Sequence, residues 1–323
     1  MAIYLVTGAA GFIASRTAHL LLDAGHTVVG VDNLNDYYDV RLKEHRLAAL
    51  QSRGNFSFAR LDIEHLAALE PLFRQHKFDA VLNLAARAGV RYSMENPFVY
   101  LTTNAMGTLN ILELMRRHGV QKHVLASSSS LYAGQKMPFT EDLPVNTPIS
   151  PYAASKKAAE VMAYSYHSLY GIDSSILRFF TVYGPASRPD MAQMRFTRAI
   201  DAGQPIELFG DGTQARDFTY VDDIARGVIA ALKPLGYEII NLGGGRNPVV
   251  LTTFIEKIEK QLGKQACYDR QPFHIADIKE TWADISKAER LLGWKPLTGL
   301  DEGLRLSVEW YLANREWVSA LKG

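Results

Sequence analysis

Hydrophobic residues occur in short runs separated by longer amphipathic stretches through the first half of the chain. Six runs rich in β-branched and aliphatic residues predict buried strands, at Ile3–Val6, Thr27–Val31, Phe56–Leu61, Ala80–Leu84, His123–Ser127 and Ser175–Phe180. Helical periodicity fills intervals between them, at Arg16–Ala24, Leu66–His76, Val99–Arg117 and Ala153–Tyr170. Because buried strands alternate with helices, we predict an α/β fold built on a doubly wound parallel sheet.

The pattern becomes less regular after Gly184-Pro185, where the predicted elements are shorter until an amphipathic helix at Gly303–Arg315. We therefore predict a large N-terminal domain, residues 1–180, and a smaller C-terminal α/β domain, residues 181–323. Residues 221–243 are expected to pack back onto the first domain, because they contain a further helix and a buried strand.

Composition and charge narrow the class of function. The 323 residues include 35 Lys+Arg and 34 Asp+Glu, a formal net charge of +1 without a block of like charge, so neither nucleic acid nor a membrane surface is an expected partner. No apolar run approaches the length of a membrane span, and the strand-like N-terminus is unlike a signal peptide. The single cysteine, Cys267, argues against disulfides and a cysteine metal site. We expect a cytoplasmic globular protein without a metal.

A glycine turn follows the first predicted strand. The string Gly8-Ala-Ala-Gly11-Phe12-Ile13-Ala14 lies between a strand and a helix, which is the context that a dinucleotide-binding turn requires. Glycines allow the backbone to approach a pyrophosphate at the helix N-terminus. Asp32 ends the second strand, where its carboxylate can bind ribose hydroxyls and repel a 2′-phosphate. The motif therefore predicts a Rossmann-type domain that binds NAD.

A tyrosine and a lysine begin the helix predicted at Ala153–Tyr170. Tyr152 and Lys156 are four residues apart and therefore share one helical face. A nearby ammonium favours the phenolate, which can act as a general base, and the resulting phenol can act as a general acid. This spacing alone also occurs on many exposed helices. Here it follows the serines Ser127–Ser130 at the carboxyl end of a strand, where ligands bind in doubly wound sheets.

Glycine turn, serine cluster and Tyr-Lys pair in this order resemble the nucleotide-sugar branch of the extended short-chain dehydrogenase/reductase superfamily. The resemblance extends from Ile3 to about Trp310. Further strings are similar to the members of that branch that epimerise UDP-glucuronate at C4: Asp32–Asp39, Leu84–Tyr92, Arg178–Pro185, Arg188–Met191 and Arg216–Asp223.

The resemblance implies roles for individual positions. Tyr152 would be the catalytic base and acid, Lys156 would lower its pKa and hold the nicotinamide ribose, and Ser128 would be the third catalytic residue. Motif and resemblance together place the following residues against NAD: Gly8, Gly11, Phe12, Ile13, Asp32, Asn33, Asp62, Ile63, Ala85, Ala86, Arg87, Asn104, Tyr152, Lys156 and Phe179. The residues expected against the UDP-sugar are Ser128, Ser129, Ser130, Tyr152, Thr181, Arg188, Phe209, Arg216 and Arg270.

The resemblance also implies a reaction in which C4 of the sugar is first oxidised. Related dehydratases carry Asp-Glu where this chain has Ser129 and Ser130, and decarboxylases keep an acid at the position of Ser130. We therefore expect redox-neutral epimerisation with tightly bound NAD that is not consumed. A guanidinium can grip a carboxylate bidentately, and we hypothesise that Arg188 holds the C6 carboxylate of the 4-keto sugar out of the alignment that would release CO2.

Three alternatives remain open: a UDP-glucose/UDP-galactose 4-epimerase, a UDP-glucuronate decarboxylase, and a non-catalytic NAD-binding regulator. The resemblance favours a homodimer that pairs Val99–Arg117 and Ala153–Tyr170 of two chains. The sequence leaves undecided which of Arg270, Gln271 and His274 contacts the nucleotide.

Overall fold

A parallel seven-stranded sheet lies at the centre of the computed structural model, which describes residues 1–245, 248–272 and 279–322. The strands in chain order are β1 Ile3–Thr7, β2 Thr27–Asp32, β3 Phe56–Arg60, β4 Ala80–Asn83, β5 Lys122–Ser128, β6 Asp173–Phe179, β7 Thr181–Tyr183, β8 Pro205–Phe209, β9 Ala215–Arg216, β10 Phe218–Tyr220, β11 Tyr237–Leu242, β12 Val249–Val250 and β13 Cys267–Gln271.

The helices are α1 Phe12–Asp23, α2 Val40–Gln51, α3 Leu66–Gln75, α4 Val90–Glu95, α5 Phe98–Tyr100, α6 Gly107–His118, α7 Pro151–Tyr170, α8 Ala192–Ala202, α9 Val221–Ala230, α10 Leu251–Leu262, α11 Ser286–Leu292, α12 Leu300–Ala313 and α13 Arg315–Val318. A π-helical turn at Leu101–Met106 joins α5 to α6, and a 3₁₀ turn at Ser129–Tyr132 follows β5.

The central sheet has the strand order β3-β2-β1-β4-β5-β6-β11, and all its pairings are parallel. Successive side chains of a strand point to opposite faces, so Leu5 and Val6 enter two different cores. Helices α1 and α9 pack on one face and α3 and α6 on the other. The predicted Rossmann-type α/β fold is confirmed. Strand order reverses between β1 and β4, which places a ligand crevice at their carboxyl ends.

The seventh strand comes from late in the chain: β11 pairs with β6 along its whole length, and α9 packs against α1. Three two-stranded sheets, β7–β10, β8–β13 and β9–β12, lie outside the central sheet. The division into domains at residue 180, with 221–243 returning to the first domain, stays a prediction. We propose it because most strands after residue 180 pair outside the central sheet.

Two features differ from the predicted pattern. Helix α2 was not predicted, because Lys43 and Arg46 lie among its buried residues and interrupt the apolar period. The helix expected over Val99–Arg117 contains the π-helical turn, an insertion that periodicity does not report. Within the described residues, no helix is long and apolar enough to cross a membrane.

Candidate active site

The turn between β1 and α1 requires glycine at two positions. Gly8 has φ +70°, and a Cβ there would lie 2.8 Å from the Cα of Ala85. The amide of Gly11 donates to the Gly8 carbonyl at 2.7 Å, and a Cβ on Gly11 would lie 2.8 Å from that oxygen. The turn therefore brings β1 and the loop after β4 into close contact.

The first turn of α1 is open to an anion. Gly11 is its N-cap and offers no side chain, and the first turn contains no acidic residue. The first N–H groups of a helix have no partner within the helix, and they carry the positive end of its dipole. Phe12 and Ile13 thus present their amides where a pyrophosphate would bind.

Asp32 is held at the end of β2 by two backbone amides. Its Oδ2 accepts from Ala10 N at 3.2 Å and its Oδ1 from Leu34 N at 2.8 Å. Next to it, Asn33 Nδ2 donates to Asp62 Oδ2 at 2.7 Å, which joins the ends of β2 and β3. These carboxylates form a fixed acidic rim of the kind that binds ribose hydroxyls.

Ile63, by contrast, is a core residue. Its side chain is buried against Gly107, where a Cβ would lie 2.5 Å from its Cδ1. Its backbone carbonyl accepts from Asn110 Nδ2 at 2.9 Å. Its contact with the adenine stays a prediction.

The loop after β4 is attached to the turn and to α7. Ala85 N donates to Thr7 Oγ1 at 3.1 Å, and Ala86 follows, half-buried. Asn104, in the π-helical turn, accepts from Arg87 N at 2.9 Å and donates to Arg87 O at 3.0 Å and to Ser155 Oγ at 2.9 Å. Arg87 Nε is buried and has no partner among the described residues. Its Nη1 donates to Asn35 Oδ1 at 3.1 Å. The buried Nε and the open N-terminus of α1 both fit an anionic dinucleotide.

Ser128 and Tyr152 meet at the carboxyl end of β5. Helix α7 begins with Ser150 as N-cap, whose Oγ accepts from Ala153 N at 3.2 Å, and with Pro151 in its first turn. This start places Tyr152, 9% exposed, within hydrogen-bonding reach of Ser128. Ser128 Oγ accepts from Ser130 N at 3.1 Å, so its own proton is available to the phenol oxygen.

Opposing effects act on the Tyr152 phenol. Burial raises its pKa, while the Ser128 hydrogen bond and the charge of Arg188 lower it, and burial prevails. Lys156 Nζ donates to the Ala126 carbonyl at 2.7 Å. Burial lowers the pKa of Lys156 to about 8, against the opposing charge of Glu160. The effect of Lys156 on the phenolate stays a prediction, and the charge of Arg188 acts on the pKa of Tyr152 in the same direction.

The neighbouring strand β6 and the strand β7 that follows it bring two more expected residues to this point. Phe179, half-buried at the end of β6, is the register partner of Ser128. Thr181 begins β7, and its amide donates to Asp217 O at 3.2 Å. Ser129 and Ser130, both half-buried, open the 3₁₀ turn. Hydroxyls and an aromatic ring therefore line the mouth of the crevice beside Tyr152.

Arg188 lies in the loop between β7 and α8. Its Nε donates to Asp190 Oδ1 at 3.0 Å and its Nη2 to Asp190 Oδ2, so the pair is bidentate. The guanidinium carbon lies 5.6 Å from the ring centroid of Tyr37. Tyr37 in turn donates to Ala88 O at 2.7 Å. The loop that carries Arg188 thus contacts the cofactor side of the crevice.

The strands outside the central sheet carry the remaining residues. Phe209 ends β8, and the guanidinium carbon of Arg91 lies 3.9 Å from its ring centroid. Gln271 is the register partner of Phe209, whereas Arg270 is exposed. Arg216 Nη1 donates to Ala215 O at 2.9 Å and to Lys279 O at 3.2 Å.

His274 lies outside the described residues, so the choice among Arg270, Gln271 and His274 stays open.

Sequence reasoning missed Tyr37, Tyr100 and Arg46. Tyr100 contacts the Tyr152 ring edge-on, with 5.9 Å between centroids. Tyr37 lies within a string used for the resemblance but was given no role. The signal for Arg46 is a charged residue in phase with Leu42 and Leu50 on α2.

Comparison with known proteins places these features in a family. The model of the NAD dependent epimerase/dehydratase family matches residues 4–243. A UDP-glucuronate 4-epimerase of Thermodesulfobacterium geofontis is 58% identical over 322 residues, which is 100% of both chains.

Two solved structures show the same architecture. The Bacillus cereus UDP-glucuronic acid 4-epimerase, in complex with UDP-glucuronic acid and NAD, matches with a TM-score of 0.91 and 38% identity over 97% of this chain and 99% of that one. A Thermotoga maritima UDP-glucose 4-epimerase with UDP-glucose matches with a TM-score of 0.89 and 31% identity, again over 97% and 99%.

Proposed function

The chain belongs to the NAD dependent epimerase/dehydratase family, and we infer on that premise that it is an isomerase that converts UDP-glucuronate to UDP-galacturonate, with NAD as cofactor. NAD, when bound, supplies the oxidant that takes two electrons from C4 and returns them, so it is not consumed. Between these two events the sugar is a 4-keto uronate. Return of the electrons to the opposite face gives the C4 epimer.

The Arg188 guanidinium, which lies 5.6 Å from the ring centroid of Tyr37 and whose charge lowers the pKa of Tyr152, is the observation that carries this assignment. A uronic acid brings a carboxylate at C6, which a guanidinium binds in a bidentate manner, whereas a neutral sugar offers no such partner. The residues at the end of β5 are Ser128, Ser129 and Ser130. Removal of water would need an acid and a base, and hydroxyls at these positions supply neither.

We propose that Tyr152 accepts the O4 proton during oxidation and returns it afterwards. Burial raises the pKa of Tyr152, so the phenolate depends on the groups that lower it: the Ser128 hydroxyl, whose proton is free to point at the phenol oxygen, and the charge of Arg188. Lys156 commits one N–H to Ala126 O and keeps others for the nicotinamide ribose. Its pKa of about 8 keeps it charged near neutrality.

We further propose that the loop of Arg188, with Ser129 and Thr181, binds the sugar carboxylate. A 4-keto uronate is a β-keto acid, which loses CO2 when the C5–C6 bond aligns with the carbonyl π system. Since Asp190 already pairs with Arg188, the substrate carboxylate joins or displaces an existing ion pair. Arg188→Ala is expected to release CO2 and a UDP-pentose; unchanged turnover without CO2 would refute this role.

The UDP moiety is assigned to the strands outside the central sheet. Phe209 offers a ring face, and Arg216 and Arg270 offer cationic partners for the diphosphate. All three belong to strands after residue 180, so the nucleotide would bridge the central sheet and these strands. We propose Phe209→Ala as the test, with a raised KM for UDP-glucuronate and a smaller change in kcat.

The decisive experiment incubates the purified protein with UDP-glucuronate without added cofactor and resolves the products by anion-exchange chromatography. A UDP-galacturonate peak without UDP-xylose establishes the epimerase and a retained NAD. UDP-pentose with CO2 would indicate a decarboxylase. Turnover of UDP-glucose alone would indicate the neutral-sugar epimerase, and no turnover of either would favour the regulator.

We also propose a homodimer, supported by exposed apolar side chains on the π-helical turn and on α7, among them Leu101 and Val161.

A cytoplasmic location is proposed from the free, exposed Cys267, which suits a reducing compartment. Cell fractionation tests the location.

A further inference from the structure

One buried guanidinium joins three segments that surround the crevice. Arg46 on α2 donates from Nη1 to Ala10 O at 3.1 Å and to Tyr38 Oη at 2.7 Å. Its Nε and Nη2 both donate to Ala186 O, at 3.1 and 2.7 Å. The three acceptors belong to the glycine turn, the loop after β2 and the loop that carries Arg188.

These contacts demand an arginine. Every acceptor is a neutral oxygen, and the side chain is buried, so the charge is satisfied by geometry and not by a carboxylate. The planar guanidinium reaches all three oxygens because its donors diverge in one plane. A lysine ammonium keeps the charge but is a single point that cannot span them.

The contact with Ala186 fixes the start of the Arg188 loop. Ala186 has φ +53°, a left-handed conformation that disfavours a residue with a Cβ. The two hydrogen bonds from Arg46 to the Ala186 carbonyl offset that cost and fix the direction of the chain. Ser187 follows, fully buried, with Oγ donating to Gln193 Oε1 at 2.8 Å. The backbone that precedes Arg188 is therefore held in place by these contacts.

The other two contacts locate the surfaces that the Arg188 loop faces. The peptide groups of Ala10 are held on both sides, the N–H by Asp32 Oδ2 and the carbonyl by Arg46. Tyr38 follows Tyr37, whose ring lies under the Arg188 guanidinium. The Arg46 side chain thus sets the relative position of the glycine turn after β1, the Tyr37 ring and Arg188.

We propose that Arg46 is a positioning residue that holds Arg188 where it keeps the carboxylate of the 4-keto sugar out of line with the C4 carbonyl. The proposal rests on the proposed function. Without Arg46, the C5–C6 bond can break: CO2 leaves, its bonding electrons form an enolate over C4 and C5, and a proton from solvent adds to C5. The hydride that left C4 then returns to C4, and Tyr152 returns the proton to O4, so that the ketone becomes the alcohol of a UDP-pentose.

The test compares wild type, Arg46→Met, Arg46→Lys and Arg188→Ala, with Arg53→Met as matched control. Arg53 lies just past α2, partly exposed and paired with Asp23. For each protein, UDP-galacturonate, UDP-pentose and CO2 are quantified, together with the NAD that is released on denaturation. We expect the pentose share to rise about tenfold or more in Arg46→Met and Arg46→Lys, and to stay at the wild-type level in Arg53→Met.

The double variant Arg46→Met/Arg188→Ala separates positioning from loss of structure. If Arg46 acts through Arg188, this variant makes no more pentose than Arg188→Ala alone. Lower NAD retention in Arg46→Met would report the Ala10 contact independently of turnover. If Arg46→Met does not fold, Arg46→Lys decides.

A pentose share at the wild-type level in a folded Arg46→Lys, with Arg188→Ala leaking CO2, overturns the proposal. An Arg188→Ala that leaks no CO2 overturns the carboxylate role on which it rests. A wild type that makes no UDP-galacturonate overturns the proposed function itself, so the three failures are distinguishable.

Discussion

At the scale of single residues, His123 in β5 combines complete burial with incomplete hydrogen bonding. Its Nδ1 lies 3.4 Å from Ser174 Oγ, and its Nε2 has no partner among the described residues. Burial lowers the pKa of His123 to about 3, and the charge of Lys122 acts in the same direction. The imidazole therefore stays neutral in the folded protein over the pH range in which the histidine of an unfolded chain takes up its proton.

His123 is expected to make the protein sensitive to acid. The unfolded chain binds a proton at His123 below about pH 6.5, while the folded chain does so only near pH 3, so stability falls as pH decreases through this window. Between pH 7.5 and 5, the loss from this residue is about 2 kcal/mol. Urea unfolding of wild type and His123→Met at both pH values checks it; equal losses in the two proteins would contradict it.

Tyr152 gives the most direct prediction about catalysis. Tyr152→Phe removes the proton acceptor and is expected to lower kcat by about 10²–10⁴-fold. Steady-state assays with UDP-glucuronate measure the effect. Tyr164→Phe, on the exposed side of the same helix, should retain wild-type turnover. A Tyr152→Phe enzyme of near-normal kcat would remove the phenol from the mechanism.

The sequence singled out Tyr152 and Lys156 because their spacing is a local property of one helix, whereas the resemblance singled out Ser128. The sequence could not identify the charges around them. Arg188 acts on the pKa of Tyr152 from the loop before α8, which only the folded chain brings towards α7. The effect of burial on a pKa is similarly absent from a motif.

At the scale of secondary structure, a buried ion pair connects helix α7 to the strands β5 and β6. Glu160 on α7 accepts from Arg178 Nε at 2.9 Å and Nη2 at 2.8 Å, and from Ser127 Oγ at 2.7 Å. Arg178 also donates to Tyr132 Oη at 2.8 Å. Ser127 and Arg178 immediately precede Ser128 and Phe179, so this pair fixes the height of both strand ends relative to α7.

Breaking this pair is expected to destabilise the protein strongly. Arg178→Met leaves the Glu160 carboxylate buried without its partner, at a cost of about 3–5 kcal/mol. The double variant Glu160→Met/Arg178→Met removes both charges and is expected to recover part of the loss. Chemical unfolding of the two variants measures the difference. A double variant less stable than Arg178→Met would contradict the argument.

The strands of the central sheet were predictable and helix α2 was not, for the same reason. Runs such as Ile3–Thr7 are buried on both faces, so burial appears directly in the sequence. Helix α2 buries Lys43 and Arg46 for hydrogen bonds to the loops around the crevice, and these residues erase the period that identifies a helix. Helix α2, which sequence reasoning missed, therefore serves the site.

At the scale of the whole molecule, exposed apolar residues cluster beside the catalytic helix. Phe98 is 76% exposed and Leu101 58%, and Val161 and Leu169 are exposed on α7. Burying such a surface is the usual driving force for self-association. Helix α7 also begins with Tyr152, so the proposed interface and the site share one helix.

Leu101→Glu is expected to dissociate the proposed dimer. The matched control is Leu297→Glu, since Leu297 is 66% exposed on a loop before α12. Size-exclusion chromatography with light scattering should give dimers for wild type and Leu297→Glu and monomers for Leu101→Glu. A monomeric wild type would exclude the homodimer.

The late arrival of β11 has a consequence for the nascent chain. Strand β6 ends at residue 179, but the strand that covers its edge is complete only at residue 242. At roughly 5–20 residues per second, the stretch between them takes about 3–13 s to synthesise. During that time β6 is an open edge, ready to pair with another unfinished chain. A chain whose synthesis ends in this interval is therefore an aggregation-prone fragment.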